Sequence, residues 1–94
     1  MNSLDSHTAL LSNEGRYTIF SFGDQRLKFI GPYSLEYYDS VKLWDAGYLV
    51  VMAKYSHDEA LVEEYIDLEP VLDNLLIDKE QFLAPIQKVE IANV

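Results

Sequence analysis

The sequence predicts an α+β domain, with a mostly antiparallel β-sheet of five to six strands and two short helices packed near the C-terminus. Three observations support this prediction. Segments of strand composition recur between Tyr17 and Ile66. Turn residues such as Gly23-Asp24 separate these segments. Beyond Ile66, two segments each start at an aspartate, Asp67 and Asp78, and continue with apolar residues at helical spacing.

Length and composition limit the protein classes that remain. The 94 residues form one domain, and 49% hydrophobic with 24% charged residues is typical of a globular protein. There is no cysteine, which excludes disulfides, thiolate zinc sites and cysteine nucleophiles. No apolar run reaches the roughly 18 residues of a membrane span, and the N-terminal residues lack the pattern of a signal peptide. We therefore expect a cytoplasmic protein.

The N-terminal part is predicted to contain a tail and a hairpin. Residues 1–14 are rich in Ser, Asn and Asp and predict a flexible tail, so that the domain covers residues 15–94. Tyr17–Phe22 is aromatic and β-branched, which favours a strand. Arg26–Ile30 alternates basic and apolar residues, the pattern of a half-buried strand. The two segments make a β-hairpin, and an aromatic connector completes residues 15–39.

Three further strands are predicted between residues 40 and 66. Ser40–Trp44 is followed by Asp45-Ala46-Gly47, which suits a three-residue hairpin loop. Tyr48–Ala53 is a continuous apolar run, and we expect it at the centre of the sheet, covered on both faces. After a polar loop, Leu61–Ile66 is expected to pair with this central strand.

The C-terminal part is predicted to hold two capped helices and a closing strand. Asp67 is a good N-cap residue, and Pro70 falls in the first turn, where its missing N–H costs nothing. Asp78 caps a second helix that Pro85 ends, and Val89 and Ile91 alternate with charged residues as in a strand. The predicted core consists of Ile19, Leu27, Phe29, Val41, Leu43, Leu49, Val51, Ile66, Leu68, Val71, Leu72, Leu75, Phe82, Leu83, Val89 and Ile91.

Residues 40–94 resemble the family known as domain of unknown function 2442. The resemblance rests on Val41–Trp44, Tyr48–Val51, the segment Tyr65–Leu72 with its Asp-Leu-Glu-Pro, the capped Asp78–Phe82, and the Val89-Glu90-Ile91 strand. It implies an accessory role in binding proteins and supplies no catalytic residues. Residues 1–39 lie outside the resemblance.

The negative charge is concentrated in one quarter of the chain. Of the net charge of −9, residues 57–80 carry −8, with nine acids against Lys79. Such a segment disfavours binding to nucleic acid or to an anionic membrane and suits a basic protein partner. The alternative is a solvated surface that maintains solubility. The predicted partner-binding acidic face is Asp58, Glu59, Glu63, Glu64, Glu69, Asp73 and Glu80.

Aromatic residues suggest a second contact surface. Tyr33, Tyr37, Tyr38 and Trp44 are close in sequence, and tyrosine and tryptophan are enriched at protein interfaces. If the segment is extended, neighbouring side chains point to opposite faces, so not all of them can be buried. We predict an aromatic interface here, with homodimerisation through an exposed strand edge as its simplest use. Ordinary packing on the sheet surface is the alternative.

The sequence contains no recognisable catalytic, metal or cofactor motif. His7 and His57 are the only histidines, and no third ligand stands at a zinc-like spacing. The four glycines are isolated turn residues and form no phosphate-binding loop. We therefore predict no catalytic residues, no metal and no cofactor.

These observations predict a non-enzymatic bacterial interaction or regulatory module, antitoxin-like in role, whose partner is a basic protein or a second copy. One alternative is an acidic mimic of nucleic acid that inhibits a DNA-binding protein, which requires carboxylates spaced over one face. A second alternative is a small enzyme with an unrecognised site, which requires a concave pocket holding at least two polar residues.

Overall fold

A computed structural model describes residues 6–31, 33–44 and 48–92. The described residues contain seven strands, two short α-helices and one 3-10 helix over Leu35–Tyr37. The strands are β1 Thr8–Glu14, β2 Tyr17–Phe22, β3 Gln25–Ile30, β4 Ser40–Leu43, β5 Leu49–Tyr55, β6 Leu61–Asp67 and β7 Lys88–Ile91. The helices, α1 Glu69–Asn74 and α2 Lys79–Leu83, lie between β6 and β7 in the chain. The predicted loop at Asp45-Ala46-Gly47 lies outside the described residues.

The α+β class is confirmed, but the strands form two sheets rather than one. The four-stranded sheet has the order β3-β2-β1-β7, and the three-stranded sheet has the order β4-β5-β6. All pairings are antiparallel except that of β1 with β7, which is parallel. The apolar run of β5 is central to its sheet, as predicted, between β4 and β6. The expected cover on both faces is wrong, because only the face of Val50 and Met52 packs against the main core.

The first strand corrects the expectation of a flexible tail for residues 8–14, whereas residues 1–5 of the predicted tail lie outside the described residues. From Thr8 to Glu14 the chain forms β1, which pairs with β2 on one side and β7 on the other. Ala9 and Leu11 are fully buried, and their alternation with half-buried neighbours gives β1 one covered face. This two-residue apolar signal is too short to distinguish a strand from a polar tail without its partner strands.

The two sheets meet where β4 lies beside β7. Residues of both strands together line two depressions of about 360 and 230 Å³, with Val41 and Val89 contributing to both. No ladder joins the two strands among the described residues, so the sheets remain separate. The strands at the far ends of the two sheets are β3 and β6, and each has a strand neighbour on one side.

The inner faces of both sheets enclose a single core. The side chains of Phe20, Leu27, Val50, Met52 and Leu72 are fully buried in it. The α2 helix inserts the ring of Phe82, whose centroid lies 6.4 Å from that of Phe20 and 6.1 Å from that of Phe22. These aromatic contacts hold the short helix against the four-stranded sheet.

Part of the predicted core is confirmed, and the orientation of the β5 side chains explains several differences. Eight of its predicted members are buried: Ile19, Leu27, Val51, Ile66, Leu68, Leu72, Phe82 and Val89. In β5, Val50 and Met52 face the main core, whereas the buried Val51 lies on the opposite face of the sheet. An apolar run without alternation does not reveal which of its faces the helices cover. Leu75 was predicted as core but is 53% exposed, because α1 ends before it.

The caps of the two helices differ from each other. The Asp78 carboxylate accepts from the backbone N–H of Gln81 at 3.2 Å, as predicted for an N-cap. The Asp67 carboxylate accepts from the N–H of Glu69 at 3.0 Å, although the residue at the cap position of α1 is Leu68. Both carboxylates therefore stabilise a helix start.

A buried threonine fixes the connection after β3. The Thr18 hydroxyl is fully buried and accepts from the backbone N–H of Tyr33 at 3.1 Å. Its proton can go to the side-chain oxygen of Asn13 or the carbonyl of Gly31, each at 3.2 Å. The Asn13 amide also donates to the carbonyl of Tyr33 at 2.8 Å. This network holds the chain as it leaves the four-stranded sheet and enters the 3-10 helix.

Within the residues described, no helix has the length and apolar character needed to cross a membrane.

Candidate interaction surface

The face of the three-stranded sheet that points away from the core carries large apolar side chains. Because Val50 and Met52 point inward, their neighbours in β5 point outward and align with alternate residues of β4 and β6. We call this surface the outer face, and its residues are Ser40, Lys42, Trp44, Leu49, Val51, Ala53, Tyr55, Leu61, Glu63 and Tyr65. Four of its large apolar side chains are exposed: Trp44, Tyr55, Leu61 and Tyr65.

Trp44 and Tyr65 form an aromatic pair on the outer face. Their ring centroids are 6.1 Å apart, with 38° between the ring planes. The Tyr65 hydroxyl donates to the Glu63 carboxylate at 2.8 Å, which fixes the direction of the ring. The pKa of Tyr65 is raised, first by this hydrogen bond to a carboxylate and then by burial. The two rings are 48% and 44% exposed, so they are available to a binding partner.

A shallow trough runs along the outer face. A depression of about 220 Å³ lies beside the aromatic pair, and a second of about 260 Å³ extends it toward Tyr55 and Leu61. Both are lined by Lys42, Val51 and Glu63. The floor is therefore apolar at Val51, while a base from β4 and an acid from β6 stand beside it.

The predicted acidic face does not assemble as one surface. Successive residues of a strand point to opposite faces, so Glu63 lies on the outer face and Glu64 on the inner side. On that side Glu64 faces Tyr38, whose pKa is raised first by burial and then by the Glu64 carboxylate.

The remaining predicted acids are distributed over other elements. Glu69 and Asp73 of α1 both bind the Lys79 ammonium, at 2.8 and 3.3 Å, and these bonds raise the pKa of Lys79. Glu80 lies in the first turn of α2. Asp58 and Glu59 lie in the loop between β5 and β6. Lys79, which counted as the one base in an acidic run, therefore pairs with two of the seven carboxylates.

The predicted aromatic interface is also divided. Tyr38 is buried, and the half-buried Tyr33 packs against the core, whereas Tyr37 is 62% exposed. The Lys54 ammonium lies 5.5 Å from the ring centroid of Tyr37 and 5.0 Å from that of Tyr38, a cation–π arrangement. Trp44 belongs to the outer face and packs with Tyr65 instead. Proximity in sequence did not translate into a shared surface because the 3-10 helix and β4 place these residues on different sides.

Sequence reasoning missed most of the trough. Lys42 and Leu61 were assigned no binding role, and Val51 was assigned to the core. Tyr55 and Tyr65 were left out of the predicted aromatic interface. The available signal was the spacing of Leu61, Glu63 and Tyr65, which places all three on one face of a strand. Recognising that this face is uncovered required the position of the helices.

Over the described ranges, the structure brings together no group of three or more histidine, cysteine or acidic side chains that could hold a metal ion.

Comparison with known protein families matches residues 7–94 to the family described as Domain of unknown function (DUF7724). The chain belongs to this family. The resemblance to domain of unknown function 2442 is therefore wrong: its Asp-Leu-x-Pro element is general helix-start chemistry, and it omitted residues 7–39, which hold three of the seven described strands. No curated protein and no solved structure matches the chain.

Proposed function

We propose that this member of the DUF7724 family is a protein-interaction module that binds a partner protein along the trough of the outer face. The observation that carries the proposal is the exposed Trp44–Tyr65 pair beside the trough. Tryptophan and tyrosine are the residues that most often dominate binding energy at protein interfaces. Such a module acts by binding to its partner, which suits a regulatory role.

The Trp44–Tyr65 pair is already ordered before a partner binds. The hydrogen bond between Tyr65 and Glu63 holds one ring, and the second ring packs against it. A partner therefore meets a surface whose side chains are already ordered, and less conformational entropy is lost on binding. An apolar group that enters the trough would contact the Val51 floor and remove both rings from water.

The charges at the trough indicate the kind of partner. Lys42 and Glu63 stand on its two sides, so a partner that places an acid near Lys42 and a base near Glu63 is complementary. The net charge of −9 speeds association with a protein of opposite overall charge. Mimicry of nucleic acid is less well supported, because Glu63 and Glu64 point to opposite faces and because Glu69 and Asp73 are paired with Lys79.

The test uses Trp44, the single tryptophan of the sequence. Tagged wild type, Trp44→Ala and Tyr37→Ala are used to capture proteins from the native lysate, and captured proteins are identified by mass spectrometry. Tyr37 is an exposed aromatic residue outside the trough, so its substitution is the matched control. A purified captured protein is then titrated against wild type while the tryptophan fluorescence is recorded.

We expect the fluorescence of Trp44 to change on binding, because the indole leaves water. Trp44→Ala should weaken binding by at least about 2 kcal/mol, roughly 30-fold, whereas Tyr37→Ala should bind as wild type does. Equal binding by wild type and Trp44→Ala, with both folded by circular dichroism, would refute the proposed surface.

A further inference from the structure

The two strands at the ends of the sheets, β3 and β6, carry opposite charges. In β3, Arg26 and Lys28 point to the solvent face of the four-stranded sheet, as does Ile30. In β6, Leu61, Glu63 and Tyr65 point to the outer face of the three-stranded sheet. No described strand pairs with the far edge of either. Exposed strand edges of this kind can add another strand.

The pattern of hydrogen bonds between β5 and β6 shows which backbone groups of β6 point toward its free edge. The N–H of Ser56 donates to the carbonyl of Ala60 at 3.0 Å, and the N–H of Leu68 donates to that of Tyr48 at 2.7 Å. Bonded pairs alternate along an antiparallel ladder, so residues 62, 64 and 66 bond to β5. The N–H and C=O groups of Leu61, Glu63 and Tyr65 therefore point toward the free edge.

The same reasoning applies to β3. The N–H of Gly31 donates to the carbonyl of Arg16 at 2.8 Å, so residues 25, 27 and 29 bond to β2. The backbone groups of Arg26, Lys28 and Ile30 point toward the free edge of β3. On both edges, the residues that can extend the ladder are thus those whose side chains lie on the solvent-facing side of the sheet.

We propose that β6 of one copy of this chain adds β3 of a second copy as an antiparallel strand, with Glu63 opposite Lys28 of the second copy. This register also places Tyr65 opposite Arg26 and Leu61 opposite Ile30. It forms an ion pair, a cation–π contact and an apolar pair on one continuous face. It allows about six backbone hydrogen bonds, two for each pair.

The apolar pair accounts for an otherwise exposed isoleucine. Ile30 is 93% exposed at the end of β3, and Leu61 is 53% exposed. In the proposed register each covers the other. The neighbouring registers, shifted by two residues, place Ile30 opposite Glu63 or Lys28 opposite Leu61, and either one loses the apolar pair of Ile30 with Leu61.

Charge disfavours the symmetric alternatives. Two copies of β6 paired antiparallel bring the carboxylates of Glu63 and Glu64 close to those of the second copy. Two copies of β3 bring together Arg26 and Lys28 of both, and Glu14, which binds Arg26 at 2.9 Å and Lys28 at 3.7 Å, offsets part of that charge. The β3–β6 contact is the pairing that joins opposite charges. Like the homodimer expected from the sequence, it uses an exposed strand edge, but each copy keeps one free β3 edge or β6 edge, so the contact can repeat.

The inference goes beyond the proposed function, since its occupant is a second copy of this chain at the edge of β6. Leu61, Glu63 and Tyr65 also line the trough, whereas Lys28 serves only the strand-edge contact and Trp44 only the trough. Sedimentation velocity is measured over a concentration series at about 0.15 M salt, where charges more than about 8 Å apart are largely screened. We expect the weight-average sedimentation coefficient to rise with concentration, with a dissociation constant on the order of 100 µM for so small a contact. A wild-type protein that stays monomeric to about 1 mM, ten times that constant, would overturn the proposal.

Charge exchange tests the register. Lys28→Glu and Glu63→Lys should each weaken association about tenfold, and the double variant should restore it, because the pair is rebuilt with reversed charges. Arg16→Glu changes the net charge as Lys28→Glu does but lies in the turn before β2, so it should associate as wild type does. Failure of the double variant to recover, with circular dichroism showing the fold, would overturn the register.

A measurement on wild type avoids any dependence on variants. Amide chemical shifts recorded by NMR at increasing concentration should change for Arg26, Lys28, Leu61 and Glu63 first. Changes located on other surfaces would overturn the proposal. Trp44→Ala should leave the concentration dependence intact and Lys28→Glu should leave partner capture intact, so failure of one proposal is distinguishable from failure of the other.

Discussion

A leucine in the left-handed region gives a test of the helix ending. Leu76 has φ 58°, and its side chain is 93% exposed. It follows α1, where the N–H of Leu76 donates to the carbonyl of Asp73 at 3.1 Å and the N–H of Ile77 to that of Leu72 at 2.9 Å. These are the two hydrogen bonds of a Schellman motif, in which this position is usually glycine. We predict that Leu76→Gly stabilises the protein.

The expected change in the free energy of unfolding follows from three contributions. The left-handed conformation costs an L-residue roughly 1–2 kcal/mol, and glycine removes this cost. Glycine loses about 0.5–1 kcal/mol more conformational free energy on folding than alanine does. The 93% exposed side chain buries little apolar surface, so its removal costs little. The net gain is about 1 kcal/mol, which raises Tm by about 5 °C in a domain of this size.

The adjacent Leu75 supplies the matched control. Leu75 has φ −90°, so glycine relieves no strain there, and its side chain is half-buried. Leu75→Gly should lower the free energy of unfolding by about 1–2 kcal/mol through backbone entropy and lost burial. Both variants are compared with wild type by calorimetry and urea unfolding. A fall in Tm for Leu76→Gly similar to that for Leu75→Gly would refute the account of the helix ending.

Three further predictions concern particular residues. Thr18→Val should lower the free energy of unfolding by about 1–3 kcal/mol in urea titration, because it leaves the partly buried N–H of Tyr33 without its acceptor; unchanged stability would contradict the network. Glu59→Gly should raise Tm by a few degrees, about 1 kcal/mol, since Glu59 has φ 61° in its hairpin loop; a lower Tm would count against strain there. The pKa of Tyr38 is raised by burial and by Glu64, so above about pH 10 the unfolded chain binds fewer protons than the folded one. Stability should therefore fall as the pH rises beyond this value, and Tyr38→Phe should flatten that fall in urea titrations between pH 9 and pH 11; an identical slope in the two proteins would refute the assignment.

The sequence pattern was enough to predict the elements that depend only on residues close together in the chain. The β2–β3 hairpin, the central β5 and its neighbour β6 were predicted because strand composition and turn residues are read within a few positions. The cap at Asp78 was predicted for the same reason, since an N-cap acts on a backbone group three residues away.

The candidate surface was less accessible to sequence reasoning. Trp44 and Glu63 were both singled out, but for separate surfaces, and the structure places them at one trough. Alternation along β6 shows that Glu63 and Tyr65 share a face, yet it does not show which face the helices cover. The expected acidic face failed because contiguous charges in a strand diverge and because Lys79 reaches back to Glu69 and Asp73.

The sequence by itself determined the α+β class, the position of most strands and the chemistry of the helix starts, because these depend on periodicity and short-range hydrogen bonds. Tertiary structure decided that Thr8–Glu14 is a strand inside a sheet, because its partner β7 lies about 80 residues away along the chain. It also decided that the strands divide into two sheets and that the Val51 side of β5 is the uncovered one. Which face of a strand is covered, and which edge stays free, depends on the packing of the whole chain.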